Sequence, residues 1–259
     1  MIQALVLGVV QGLTELLPIS SSAHLTIIPW LFNWSVPEYF DVALHFGTLL
    51  AILLFFWKDW VKLIKGAYEQ TVKRKPNREG TMFWYIVIAT IPGGIIGFLL
   101  DHFMADALSK PAIIAIALIV MGIVLYYVDK NAPSKVEYKN MTFKQTFLIG
   151  VSQALAFIPG VSRSGITMTA ARMMGIKRES AAKYSFMLSA PIVLAATVLK
   201  LKDFVFNAEF FIGVISSFLV GTLVIKFLLN YLRKGSFKVF AVYRVIFGLI
   251  ILLTLFVRR

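Results

Sequence analysis

The sequence of 259 residues contains no cysteine, so disulfides and thiolate chemistry are both excluded and thiol usage says nothing about compartment. Basic residues are missing from the whole N-terminal segment before Lys58, which carries Gln11 and Glu15 instead, a poor fit to a cleaved signal peptide. Acidic residues are scarce: 13 Asp and Glu stand against 26 Lys and Arg, a net charge of +13. Such an excess can mean a nucleic-acid partner, but here the cations sit in loops between apolar spans, where they set membrane topology. No nucleic acid is expected. What the chain has in plenty is apolar surface. It is 59% hydrophobic and 14% aromatic, with a mean hydropathy of +0.81, more than a soluble domain of this length requires. The composition is that of an all-α integral membrane protein with the bilayer as its first partner.

Six apolar stretches approach the ~20 residues that a bilayer core demands: 39–57, 82–100, 111–128, 184–199, 210–229 and 240–257, the fourth being short. Two further apolar stretches, 1–34 and 143–175, are broken midway, at PISSS (18–22) and PGVSRSG (159–165). Each half is too short to cross, so each stretch reads as a re-entrant helix–loop–helix hairpin whose tip must be buried in protein or line a polar cavity. GVVQGLTELLPISSS (8–22) lies over GVSQALAFIPGVSRS (150–164), with Gln11 on Gln153 and Ser20 on Ser162, although the prolines fall one residue out of register. The expected architecture is one membrane domain over 1–259, built from two repeats of one hairpin and three spans, roughly 1–128 and 143–257.

The basic residues cluster at 58–78, 130–144, 177–183 and 233–238. If these are cytoplasmic, the other side keeps only Lys110, Lys200, Lys202, Arg258 and Arg259. Threading the chain this way puts the first hairpin on the outer side and the second on the inner side, with three crossings between. The repeats are then inverted, and their tips can meet near the midplane. That would bring Glu15, Ser20, Ser21, Ser22 and His24 to Ser162, Arg163 and Ser164 as one composite site.

Smaller features have structural readings. Trp60, Leu63, Ile64, Ala67 and Tyr68 recur at helical spacing between lysines, which predicts an interfacial amphipathic helix over 58–70. Gly93 and Gly97 form a GxxxG suited to helix packing, and Pro92 and Pro191 should kink their spans. Asp41 and His45 share a face near the outer end of a span and read as a satisfied interfacial pair. Arg172 and Arg244 read as snorkelling or paired cations.

The tips carry the chemistry. Gly160 and Gly165 bracket Ser162, Arg163 and Ser164 just before an apparent helix, an arrangement that offers free backbone N–H groups and a positive dipole end to an anion. Arg163 adds a permanent charge with a fork suited to phosphate oxygens. Serines at such turns are often caps only, and Ser20 to Ser22 can cap the return helix of the first hairpin. Arg163 in a buried tip calls for a functional partner, with pairing to Glu15 as its structural rival. A carboxylate facing a phosphate site repels its ligand unless it is protonated, acts as a base, or is bridged by a divalent cation. Hydrolysis of a diphosphate fits these parts: Ser21 or water as nucleophile, Glu15 or His24 as proton carrier, Arg163 and the helix ends as the clamp.

At these residues the chain resembles the undecaprenyl-diphosphate phosphatases of the bacitracin-resistance family. The family's (Glu/Gln)-x3-Glu motif, Pro-x-Ser-Ser segment and following His match at Gln11, Glu15, Pro18, Ser20, Ser21 and His24. Its PGxSRSxxT motif matches at Pro159, Gly160, Ser162, Arg163, Ser164 and Thr167. The resemblance implies removal of the terminal phosphate from a polyprenyl diphosphate, recycling a lipid carrier for peptidoglycan synthesis. It implies Glu15, Ser21, His24 and Arg163 as catalytic residues, with Ser20, Ser22, Gly160, Ser162, Ser164 and Thr167 around the phosphates. It also implies a multi-pass protein of the bacterial cytoplasmic membrane with its site open to the outer face, and a divalent cation, Mg²⁺ or Ca²⁺. With Gln11 at the first acidic position, such a cation would lean on Glu15, with Gln11 nearby, on waters and on the substrate's own phosphates. A homodimer is left open. The rival reading is a polyprenyl-phosphate flippase or secondary transporter, which shares the inverted-repeat design but needs no reactive groups at the tips.

Overall fold

The computed structural model describes residues 1–258, apart from the side chains of residues 38, 98 and 100–107; Arg259, counted above among the outer cations, lies outside the described residues. Its regular structure is helical, and the described residues contain no strand, only an isolated bridge between Val136 and Ile176. Helix α1 (Ile2–Thr14) has 13 residues and α2 (Ser21–Phe32) has 12. At about 1.5 Å per residue neither reaches 20 Å, well short of a bilayer core. The second broken stretch is built likewise, from α7 (Phe143–Ser152), a 3-10 turn (Gln153–Phe157) and α8 (Arg163–Met173). Both predicted hairpins are therefore present, and both turn where the sequence places Pro, Ser and Gly.

Five helices are long and apolar enough to cross a membrane: α5 (Arg78–Leu108, counted to Gly97), α6 (Pro111–Asn131), α9 (Arg178–Leu199), α10 (Ala208–Leu232) and α11 (Lys238–Val257). They occupy the last five expected spans, with the short one lengthened at its start to Arg178. The first expected span differs. Helix α3 spans Glu38–Phe55, Phe56 leaves helical geometry (φ −101°, ψ 23°), and α4 (Trp57–Thr71) runs on at 77° to α3. A straight continuation would carry Lys58, Lys62 and Lys65 into apolar surroundings; the bend keeps them on an amphipathic helix. That helix buries Leu63 and Ala67 but leaves Ile64 and Tyr68 exposed, so its apolar face is narrower than the spacing implied.

Apolar residues cover the outside of the spans. Leu223, Leu253 and Phe256 are each more than 60% exposed, an arrangement that is stable only against lipid. The chain is a multi-pass membrane protein. Inside, α1 lies against α10, α10 against α3, α7 against α5, and α6 against α11. Pro92 and Pro191 sit within continuous helices.

Two buried arginines hold this arrangement. Arg172 Nε donates to Asp129 Oδ1 at 2.8 Å, Arg178 Nε donates to the same oxygen at 2.8 Å, and Phe237 N–H donates to Asp129 Oδ2 at 3.0 Å. Arg172 is thus paired, not snorkelling. Arg244 is neither. It is 0% exposed and donates to backbone carbonyls: Nη1 to Pro18 (3.2 Å), and Nη2 to Gly160 and Val161 (2.8 Å each). One guanidinium on α11 therefore ties together the turns of both hairpins, a role for which only a fork of several N–H donors is suited.

Candidate active site

The two turns have matching local geometry. Ser20 and Ser162 both take positive φ, 75° and 73°, unusual for residues other than glycine, and both cap the helix that follows. Ser20 Oγ accepts from Ala23 N–H and Ser162 Oγ from Gly165 N–H, and each hydroxyl lies 3.2 Å from the serine two residues on. Gly160 needs its lack of a side chain: its φ is 97°, and a Cβ there would stand 2.5 Å from the Ile114 carbonyl oxygen. The hairpins touch directly, with Ser164 Oγ donating to the Leu17 carbonyl at 3.0 Å.

Between the turns lies Glu15. Arg163 Nη2 pairs with its Oε1, Ser21 Oγ donates to its Oε2, and Gln11 Nε2 donates to the same Oε2 at 3.3 Å. Arg163 is held from its other side by the Ser189 carbonyl, which accepts from Nη1 at 3.1 Å. A fourth group completes the set. His45 Nε2 stands 3.3 Å from Glu15 Oε2, while its Nδ1 lies 2.7 Å from the Asp41 carbonyl oxygen and so carries the proton that the carbonyl accepts.

These groups form the polar end of a cavity of about 410 Å³. Glu15, Ser21, Ser22, Ser162 and Arg163, all expected at the site, line it, together with His45 and Gln153. Val42, Ala156, Phe157, Ile192, Val193 and Ala196 make the remaining wall apolar. The other expected residues lie behind this surface. Ser20 and Ser164 are spent on the caps and the contact between hairpins, Gly160 offers its carbonyl to Arg244, and Thr167 Oγ1 faces Ser185 Oγ at 2.7 Å. His24 points to another neighbourhood: Nδ1 lies 2.7 Å from the Ser20 carbonyl, Nε2 lies 2.7 Å from Tyr243 Oη, and the ring stacks on Phe247. The histidine at the carboxylate is His45, which the sequence reading set aside as an interfacial partner of Asp41. The signal was there, a polar pair four residues apart in an apolar span, but what it faces depends on how α3 packs.

For a divalent cation the donor set is thin. Among the described residues no group of three His, Cys, Asp or Glu side chains could hold one. Both oxygens of Glu15 already have partners, yet Gln11 Oε1 is buried without one, an oxygen available to a hard cation. One carboxylate and one amide oxygen fit a cation carried chiefly by a ligand's phosphates and unsuited to a permanent protein cage.

A helical, multi-pass membrane protein with a serine, a carboxylate and an arginine at the polar end of a cavity whose remaining wall is apolar has the equipment of a membrane-embedded hydrolase acting on an anionic lipid headgroup. The comparisons with known proteins agree. Residues 4–250 match the family described as bacitracin resistance protein BacA. The chain is 50% identical over 254 residues to an undecaprenyl-diphosphatase of Pelotomaculum thermopropionicum, covering 96% of this chain and 95% of the relative. It is 47% identical over 257 residues to one from Caldicellulosiruptor bescii, with 96% of each chain covered, and 39% identical over 264 residues to one from Methanosphaera stadtmanae, again with 96% of each covered. The chain belongs to the bacitracin resistance protein BacA family.

Proposed function

We infer that this protein hydrolyses undecaprenyl diphosphate to undecaprenyl phosphate, which returns the lipid carrier to peptidoglycan synthesis and confers bacitracin resistance. The observation that carries this reading is Glu15, which meets the Ser21 hydroxyl on one oxygen and Arg163 on the other at the polar end of a cavity whose remaining wall is apolar.

The chemistry follows from that placement. Arg163 and the free N–H groups at the starts of α2 and α8 take the terminal phosphate, with its three outer oxygens toward the positive ends of both helices. Glu15 accepts the Ser21 proton as Ser21 Oγ forms its bond to phosphorus and the bond from phosphorus to the bridging oxygen breaks. The leaving group is the lipid monophosphate. Water then displaces Ser21 Oγ from phosphorus, and Glu15 returns the proton to the serine. Arg163 stabilises the charge that spreads over the equatorial oxygens in both steps. A divalent cation, Mg²⁺ or Ca²⁺, would be held by Glu15 and Gln11 Oε1 and would neutralise charge on the phosphate oxygens.

The orientation is part of the same reading. The basic stretches touch one another: Lys183 pairs with Asp59 at 2.7 Å, Lys177 with Glu137 at 2.6 Å and Arg233 with Glu179 at 3.2 Å, while Arg78 donates to Asn140 at 2.8 Å. Contacts between them support one basic end, facing the cytoplasm. Val42 lies near the start of α3 and Ala196 near the end of α9, both away from that end, which supports a cavity opening to the outer face. The matched turns at Ser20 and Ser162 support two inverted repeats of one unit. Phosphate release from a polyprenyl diphosphate by the purified protein in detergent, with Arg163→Ala as the blank, tests the activity; no release with any divalent cation would overturn it.

A further inference from the structure

Gln153 stands apart from every other polar residue of the cavity. It is 1% exposed, yet neither Oε1 nor Nε2 of its side chain has a hydrogen-bond partner among the described residues. A buried amide without partners is costly, and the chain has made room for this one. A Cβ on Gly93 of α5 would stand 2.7 Å from Gln153 Nε2, and one on Gly97, a helical turn further, would overlap the Phe157 ring. The GxxxG of α5 thus clears space for two cavity residues, 153 and 157, at the same spacing of four.

The cavity that the amide lines gives it a meaning. Gln153 and Ala156 share one face of the 3-10 turn, and both line the cavity, as does Phe157. Ala156 and Phe157 belong to the apolar wall, while Ser21 and Arg163 hold the polar end. A 3-10 turn rises about 2 Å per residue, so Gln153 lies roughly 6 Å along the turn from Ala156 of the apolar wall. A diphosphate headgroup held at Ser21 and Arg163 enters the same cavity, where, among the described residues, this amide is the lining polar side chain left without a partner.

We propose that Gln153 is the residue that binds the inner phosphate and makes the site select a diphosphate over a monophosphate. The proposal rests on the hydrolase reading above. Nε2 donates to the inner phosphoryl oxygens, and Arg163 stays with the outer group. The amide is a positioning and selecting group; it takes no proton and forms no covalent bond.

The test uses the full chain in detergent with inorganic pyrophosphate and inorganic phosphate as probes, each measured by its stabilisation against heating and as a competitor of turnover. Gln153→Met, of similar length but without a donor, should weaken pyrophosphate roughly 10- to 150-fold, as for a lost hydrogen bond to a charged group. Phosphate should change less than twofold. KM for the lipid diphosphate should rise with the pyrophosphate constant while kcat changes little. Gln153→Glu, with the same shape and a negative charge, should weaken pyrophosphate further and decides the matter if the Met variant does not fold. Equal weakening of both probes, no weakening of either, or a folded protein for neither variant would make the amide a packing group and overturn the proposal. The stabilisation arm needs no turnover, so a selective loss of pyrophosphate by a protein that hydrolyses no lipid diphosphate would overturn the hydrolase reading alone.

Discussion

Arg163 and Glu15 are 148 residues apart in the sequence and form an ion pair across the two hairpins. The pair sets the state in which a phosphate arrives. The carboxylate occupies the guanidinium that a phosphate would claim, so an anion arriving at Arg163 would have to compete with Glu15 for it.

Ser21 is the group whose loss distinguishes the chemical routes. Ser21→Ala should reduce phosphate release on the order of 10⁴-fold in single-turnover assays, because the attacking atom is gone. A loss of only ~10- to 150-fold, the cost of one hydrogen bond to a charged group at ~1.5–3 kcal/mol, would assign the attack to water.

Glu15→Gln should cost more activity than Gln11→Ala. Of the two, only Glu15 accepts the Ser21 hydrogen bond and can carry a proton as the proposed base, while Gln11 touches Glu15 through one 3.3 Å hydrogen bond. Turnover of both variants at saturating substrate settles the ranking, and the reverse order would mean that the base is elsewhere.

The two histidines should separate. His45→Asn should lower kcat by at least tenfold, about 1.4 kcal/mol, because His45 faces Glu15 in the cavity. His24→Asn should retain most of its turnover and instead lose stability, since His24 bonds Tyr243 and the Ser20 carbonyl behind the turn. Activity and melting temperature measured on the same preparations read both effects, and equal loss of kcat would contradict the placement.

Arg244→Lys should not rescue what Arg244→Ala loses. Each buried carbonyl left bare costs ~1–3 kcal/mol, and one ammonium cannot span Pro18 on one turn and Gly160 and Val161 on the other. Both variants should melt several degrees below the parent in detergent, and an unchanged melting temperature for either would remove the clamp from the account.

Local rules made much of this protein legible. Pro18 and Pro159, with the serines after them, marked the breaks in the apolar stretches, and the turns form there. Runs of nearly 20 apolar residues marked the crossings. The meeting of Glu15 with Arg163 followed from counting spans and applying the rule for positive charge. What stayed hidden depends on packing that no spacing encodes. The bend at Phe56 comes from a conflict between an apolar run and the lysines just after it. His45 reads in sequence as half of a pair with Asp41 because its other partner, Glu15, comes from another element. Arg244 binds only carbonyls, and carbonyls are the same in every sequence. Gln153 was visible as the counterpart of Gln11, but its want of a partner appears only when the cavity is closed around it.

The clamp on the two turns has a bearing on how the molecule is made. Arg244 lies on α11, beyond every other element it holds, so during synthesis both hairpins emerge and settle before the side chain that fixes them exists. The spans can insert one by one, each on the strength of its own apolar length, but the pocket cannot take its final form until α11 packs against α6. A chain interrupted before that helix would be a membrane protein with all its reactive groups and no active site.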